Sequence, residues 1–207
     1  MSMPATKKPE KYEVPSWDRI YELCIQVANQ VRCSGYKPDL LVAVSRGGWI
    51  PGRVLSDLIE NPNIATIKVE YYVDIYKTHT KPKITQPLPI EVKGKKILLI
   101  DDIADSGKSL KLVKEHLAEQ GAVDVKICTL YYKPWSILTP DFFVRMTDAW
   151  VCFPHEIVET MKKIYLKLKE KGKSKKEIKA ELVRIGIKPS IVRKFMPQVA
   201  EGTVADA

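Results

Sequence analysis

The chain has 207 residues, enough for one α/β domain with an appendage or for two small domains, and a chain of this size buries roughly 70% of its unfolded surface without a disulfide or metal staple. Its composition, 45% apolar and 29% charged, is that of a globular protein rather than a disordered one. The net charge of +9 points to a polyanionic ligand, a nucleic acid or a lysine-rich surface, and no apolar run approaches the roughly 18 residues of a membrane span.

Residues 1 to 15 are polar with three prolines and lack the apolar core of a signal peptide. A loose arm and a cytoplasmic location are expected. Cys24, Cys33, Cys128 and Cys152 lie far apart in apolar contexts with no CxxC pair, as buried free thiols in a reducing compartment would. Ser16 can cap a helix in which Ile20, Leu23, Cys24, Val27 and Val31 recur at helical spacing, ended by Gly35. "DLLVAV", 39–44, reads as a buried strand, followed by "SRGG" and a helix near 51–60 with Val54, Leu55, Leu58 and Ile59 inward. A strand is predicted over 64–72. Residues 73–93, with three prolines and little periodicity, read as a long loop and a lid candidate, Tyr76 and Lys77 near its centre.

"KKILLIDD" reads as a strand, 107–120 as a helix with Leu110, Val113 and Leu117 on one face, and 124–133 as a strand. "FFVRM" and "AWVCF" are short extended pieces. The alternation of strand and helix predicts an α/β fold, a parallel sheet with helices on both faces. After Pro154 the pattern becomes helical. Ile157, Met161, Ile164 and Leu168 form one stripe, and "SKKE" at 174–177 is a capping box opening a second helix with Ile178, Leu182 and Ile185 inward. Ser190 can cap a third, with Ile191 and Phe195 inward. The expected division is a core of residues 1–155 and a helical C-terminal module of 156–207. From Glu156 onward, 13 Lys and Arg stand against 7 Asp and Glu, so +6 of the net charge lies in this tail.

The chemistry concentrates in "ILLIDDIADSGKSL", residues 97–110. At the carboxyl end of a parallel strand, Asp101 and Asp102 face the ligand crevice. The turn "ADSGKS" then opens a helix whose first N–H groups are unpaired and carry partial positive charge, an anion site suited to phosphate. Ser106 and Ser109 add hydroxyls, and Gly107 permits close backbone approach. Acids beside a phosphate cradle suit a ligand that also bears a diol, or a shared Mg²⁺, which takes one or two carboxylates and fills its other sites with ligand oxygens and water. A P-loop is excluded because the glycine it needs five positions before Gly107 is Asp102. "GGWIPG" at 47–52 is not a GxGxxG.

This stretch resembles the phosphoribosyl-pyrophosphate motif of the type I phosphoribosyltransferases: apolar strand, two acids, two residues, then Asp-Ser-Gly. "VAVSRGGWIPG" resembles the family's pyrophosphate loop, and "TLYYKP" and "DAWVCFPHE" resemble the base-binding segments of its 6-oxopurine branch. Together these cover about residues 17–156. The resemblance implies a type I phosphoribosyltransferase core with a flexible lid, followed by the three-helix module. It implies transfer of ribosyl phosphate from phosphoribosyl pyrophosphate to a purine nitrogen, with Mg²⁺ as cofactor. In that reading Asp101 and Asp102 hold the ribose hydroxyls and the metal, and Asp105 assists proton transfer at purine N7, its alternative being a helix cap. Ala104, Asp105, Ser106, Gly107, Lys108 and Ser109 cradle the 5-phosphate, with the Lys108 side chain alternatively in solvent. Ser45, Arg46 and Gly47 meet pyrophosphate, with a cis peptide at Arg46–Gly47. Lys133, Trp150 and Val151 hold the base, and His155 is structural.

The base is contested. Lys133 has donors only and favours the O6 oxygen of hypoxanthine, guanine or xanthine. The helical tail instead resembles the extension of crenarchaeal adenine phosphoribosyltransferases, whose core is of the 6-oxopurine type. Adenine is the expected base on that ground, with a 6-oxopurine as the alternative. A reading of another class is a regulator that senses phosphoribosyl pyrophosphate and binds nucleic acid through the tail. Its interleaved Glu159, Glu170, Glu177 and Glu181 argue against that, and nucleic acid is not an expected partner. The expected partners are the purine, phosphoribosyl pyrophosphate and a second copy in a homodimer.

Overall fold

The computed structural model describes residues 11–73 and 80–201. They form two compact units, one of Asp18–Asp148 and one that joins the N-terminal segment up to Trp17 with the residues from Ala149 onward.

The short strand β1 (Tyr12–Glu13) belongs to the second of these. The first contains α1 (Trp17–Cys33, from Asp18 on), β2 (Leu40–Ser45), α2 (Trp49–Leu58), β3 (Ile64–Val73), β4 (Thr80–Gln86), β5 (Lys96–Ala104), α3 (Lys108–Glu119), β6 (Asp124–Tyr132) and β7 (Phe142–Met146). Its six-stranded sheet has the order β4-β3-β2-β5-β6-β7, parallel except for β4. The apolar runs explain the centre: β2 is buried along its whole length, and Ile97 to Ile100 of β5 are fully buried. On one face Leu40, Val42, Ile97 and Leu99 pack with Leu110, Val113 and Leu117 of α3. Residues alternating with these point the other way, where Gly52 of α2 lies against Ala43.

The connections place the site. From β2 the chain runs through α2 to β3 on one side, and from β5 through α3 to β6 on the other. The strand order therefore reverses between β2 and β5, and a crevice opens beyond their carboxyl ends. Direct pairing of the two strands ends at Ala43 and Ile100, two residues before Ser45 and one before Asp101.

The segment expected to be an irregular lid is partly a strand. β4 pairs antiparallel with β3 over Lys68–Gln86 to Val73–Thr80. Pro82 masks the alternation in the sequence, yet an edge strand tolerates a proline's missing N–H. Tyr76 and Lys77 lie outside the described residues. Among the cysteines, Cys24, Cys128 and Cys152 are buried but Cys33 is exposed. Two residues beyond the buried Val31, it is turned roughly 200° round α1 to the solvent side.

In the second unit, β1 pairs parallel with β8 (Trp150–Val151), so the arm expected to be loose is a strand from Tyr12. This pairing groups residues from 149 with the tail, seven residues upstream of the expected 155/156 division. A 3-10 turn at Pro154–Glu156 leads into α4 (Ile157–Glu170), α5 (Lys175–Arg184) and α6 (Pro189–Glu201). The three helices pack on one another around Met161, Ile164, Ile178, Leu182, Val192 and Met196, with Tyr12 and Val14 against the same cluster. In α6 the buried residues are Val192, Met196 and Val199 rather than Ile191 and Phe195, which are only partly buried. The helix starts at Pro189, whose fixed φ suits the first position, and not after Ser190; the buried Val192 and Met196 lie one residue, about 100°, round the helix from the expected pair.

The capping box of α5 is present. Ser174 Oγ accepts from the Glu177 N–H, and the Glu177 carboxylate accepts from the Ser174 N–H at 2.9 Å and its hydroxyl at 2.8 Å. These bonds, with Lys173 at 3.1 Å, lower the Glu177 pKa from 4.5 to about 2. A carboxyl depressed on folding stabilises the fold above its unfolded pKa and loses that contribution as pH falls toward the folded one. The stability advantage of wild type over Glu177→Gln is therefore expected to be full at pH 7 and to disappear between about pH 4.5 and pH 2, read as melting temperature by circular dichroism. An advantage unchanged at pH 2 contradicts the capping role.

Candidate active site

The crevice at the switch point is assembled from two strand ends. Asp101 is half-buried and Asp102 is 6% exposed, directly after the fully buried Ile100. The Asp102 N–H donates to Asp101 Oδ1 at 3.0 Å, which orients the first carboxylate. Opposite, Ser45 is buried and Arg46 is exposed. The structure places the cis peptide at Ser45–Arg46, one bond earlier than the resemblance implied, directly at the last residue of β2.

The "GG" that follows is required by close approach. A Cβ on Gly47 would lie 2.6–2.7 Å from the Asp102 carboxylate. One on Gly48 would collide with the Ile100 carbonyl and the end of β2. The loop 45–48 and the acidic strand end are thus in direct contact.

Beyond Asp102 the chain turns into α3. Gly107 is its N-cap, at φ +75°, and has no side chain to satisfy the first amides. A Cβ there would sit 2.5 Å from Ser136 Oγ and 3.1 Å from Leu138, so the segment after Lys133 packs directly on the turn. The Ile137 N–H donates to the Ser106 carbonyl at 3.1 Å. No acid lies in the first turn of α3 to neutralise its positive end. A cavity of about 280 Å³ opens here, lined in part by Asp101, Ala104, Asp105, Ser106, Gly107 and Ser109. Lys108 is exposed, and its N–H is directed at Ser106 Oγ at 3.4 Å.

Lys133 enters from the end of β6. Its N–H donates to the Ala104 carbonyl at 3.0 Å, and the residue is only 4% exposed. Its ammonium lies 5.2 Å from the ring centroid of Trp135, whose indole N–H donates to Asp105 Oδ1 at 3.1 Å. Sequence reasoning missed Trp135; the available signal was an aromatic in a loop directly after the base-segment lysine. It also missed Tyr71, which lines the same cavity and bonds to Ser109.

Trp150 and Val151 belong to the second unit. There Trp150 is half-buried, stacked on Tyr12 with centroids 6.1 Å apart, and Lys167 Nζ lies 5.9 Å from its ring. The N–H groups of Trp150 and Cys152 donate to the Lys11 and Glu13 carbonyls at 2.8 Å each. In a parallel ladder the intervening residue faces its backbone the other way, so Val151 presents its N–H and C=O on the open edge of the pair. His155 stacks on Phe153 at 5.0 Å, consistent with a packing role.

Paired acids and an uncapped helix N-terminus at a switch point define an α/β protein built for a phosphorylated, hydroxyl-bearing ligand. Comparison with known proteins agrees. The family model of the phosphoribosyl transferase domain matches residues 16–159. A xanthine-guanine phosphoribosyltransferase of Gluconobacter oxydans is 29% identical, over 73% of this chain and 90% of that protein. The solved structure of a purine phosphoribosyltransferase from Pyrococcus horikoshii is 34% identical with a TM-score of 0.64, covering 70% of this chain and 93% of the other. A Helicobacter pylori xanthine-guanine-hypoxanthine phosphoribosyltransferase, 23% identical with a TM-score of 0.62 over 72% of this chain and 96% of its own, shares the fold. The chain belongs to the phosphoribosyltransferase family and is a purine phosphoribosyltransferase, a pentosyltransferase.

Proposed function

We propose that the protein transfers ribosyl phosphate from phosphoribosyl pyrophosphate to a 6-oxopurine, releasing pyrophosphate. The observation that carries this choice is Lys133, a buried donor-only side chain beside the cradle and one indole away from Asp105. A 6-oxopurine presents acceptors at O6 and N7, whereas adenine presents an amino group at position 6, which an ammonium cannot satisfy. Relatives from Gluconobacter oxydans, Idiomarina loihiensis and Saccharomyces cerevisiae are named xanthine-guanine or hypoxanthine-guanine phosphoribosyltransferases, and they favour the 6-oxopurine over the adenine expected from the tail.

In this reading positive charge develops at the anomeric carbon while pyrophosphate departs as an anion. Ser45, Arg46 and Gly47 receive that anion, the Arg46 guanidinium by paired hydrogen bonds. Asp101 and Asp102 hold the ribose diol. The residues fit Mg²⁺: two adjacent carboxylates, Asp101 and Asp102, meet the small protein share that this ion takes and leave its other positions to ligand oxygens and water. When bound, the ion would neutralise pyrophosphate charge. Asp105 faces N7, with Oδ1 held by Trp135 and Oδ2 left for the proton. For Trp150 and Val151 the resemblance implies stacking on the base and backbone groups at its edge. The homodimer rests on the resemblance alone, and the cytoplasmic location on the N-terminal composition and the unpaired cysteines. Among the described residues no helix is long and apolar enough to cross a membrane. The regulator reading is disfavoured because tail cations pair with acids on their own helices, as in Lys163–Glu159 and Arg184–Glu181.

The test is nucleotide formation with phosphoribosyl pyrophosphate, Mg²⁺ and hypoxanthine, guanine, xanthine or adenine in turn. Transfer to a 6-oxopurine is expected. Lys133→Met is expected to lower kcat/KM for it by about 100-fold, the worth of a hydrogen bond to a charged donor. Transfer to adenine alone, or full activity in the variant, overturns the reading.

A further inference from the structure

We propose that Thr129 is a positioning residue for Asp101, its hydroxyl donating to the carboxylate that holds the sugar diol and shares the metal. The inference rests on that reading of Asp101 and does not depend on which base is used.

β6 lies beside β5, and in their parallel ladder Thr129 is the register partner of Asp101. Leu99 and Ile127 belong to the cluster packed under α3, so Asp101 and Thr129, each two residues further on, share that face. Asp102 points the other way, toward Gly47. Asp101 is half-buried at the crevice, and Thr129 beside it is fully buried. Adjacent strands lie roughly 4.8 Å apart, so rotation about χ1 brings a threonine hydroxyl within hydrogen-bond reach of a neighbouring carboxylate.

Packing does not account for a threonine here. Its Oγ1 is buried and has no hydrogen-bond partner among the described residues. Burying a hydroxyl unpaired is destabilising, and valine, of the same shape, would fill the place without that cost. The lateral neighbours of Thr129 on this face are Asp101 and Phe143, and of the two only the carboxylate accepts a hydrogen bond. Asp101 Oδ1 already takes the Asp102 N–H at 3.0 Å; a carboxylate has about four lone-pair sites, which leaves room for a hydroxyl as well as for a ligand. An amide from β5 and a hydroxyl from β6 together fix the carboxylate plane, so that the acid meets the diol and the ion without reorganising.

The test is a double-mutant cycle on the whole protein, read by calorimetric titration with phosphoribosyl pyrophosphate in Mg²⁺. Asp101→Ala alone is expected to weaken binding; wild-type affinity in that variant removes the reading of Asp101 and the proposal with it. Thr129→Val is expected to weaken binding by about 10-fold in the otherwise wild-type protein, the worth of a hydrogen bond to a charged group, and by less than about 2-fold when Asp101 is already alanine. Thr129→Ser, which keeps the hydroxyl, is expected to restore most of the affinity. If Asp101→Ala loses affinity and Thr129→Val does not, the proposal alone is overturned. An equal loss in both backgrounds, or one that serine does not restore, assigns Thr129 to packing and also overturns it. The melting temperature of Thr129→Val is expected not to fall; a clear drop would show a hydroxyl bonded within the fold and would overturn the proposal independently of binding.

Discussion

Replacing both strand-end acids, Asp101→Ala with Asp102→Ala, is expected to reduce nucleotide formation by more than about 10³-fold while leaving a cooperatively folded protein. The two carboxylates are in the crevice and not in the packed layer. Their strand is anchored by Ile97 to Ile100, which the substitutions do not touch. Alanine at these positions removes no apolar contact, so the melting temperature is expected to stay within a few degrees. Activity falls because the acids would hold the diol and share the metal, and losing preorganised charge stabilisation of this kind costs roughly 10²–10³ for a single group. The checks are the nucleotide assay at saturating substrates and a thermal melt. Substantial residual turnover contradicts the assignment of the acids; an unfolded variant would place them in the fold instead.

Gly47→Ala is the second large expectation, and it turns on one methyl group. At ordinary bond lengths the new Cβ would lie 2.6–2.7 Å from all three carboxylate atoms of Asp102. Either the carboxylate or the loop must move. Asp102 is nearly buried, and Gly48 just behind is pinned between Ile100 and Val44, so neither side yields freely. Any relief displaces the loop 45–48 and the acid together. A shift on the order of 1 Å in a positioning group costs about 10²-fold, and that loss in kcat/KM is expected. Pyrophosphate binding is expected to weaken in parallel. Ribose 5-phosphate binding at the cradle after β5 is expected to persist, since Gly47 does not line it. Wild-type activity in Gly47→Ala would show that the loop and the acids act independently.

The legible part of the molecule was that in which local sequence and local structure coincide. The run "ILLIDDIADSGKSL" contains its own strand, turn and helix start, so Asp101 to Ser109 could be read as one cradle. The capping box at Ser174–Glu177 was legible for the same reason. Edge and arm elements were not. β4 carries a proline that only an edge strand accepts, and nothing in "KITQ" declares an edge. β1 is two residues long and exists because Trp150 and Val151 offer it a ladder. In α6 the expected Ile191 and Phe195 do pack on the cluster, but Val192, Met196 and Val199 are its buried centre.

Composition and periodicity alone were enough for an α/β core followed by a helical module, because buried strands and helix starts are specified by neighbours in the chain; the acids and the turn glycine after β5 were named as site candidates by their place at a strand end. The tertiary structure alone decided that Gly47 touches Asp102, that Trp135 holds Asp105 and that Tyr71 crosses to Ser109. Those contacts join residues 30 to 55 positions apart, and they depend on strand order and overhang. No local pattern encodes them, since the distance between two strand ends is set by what the whole sheet places between them.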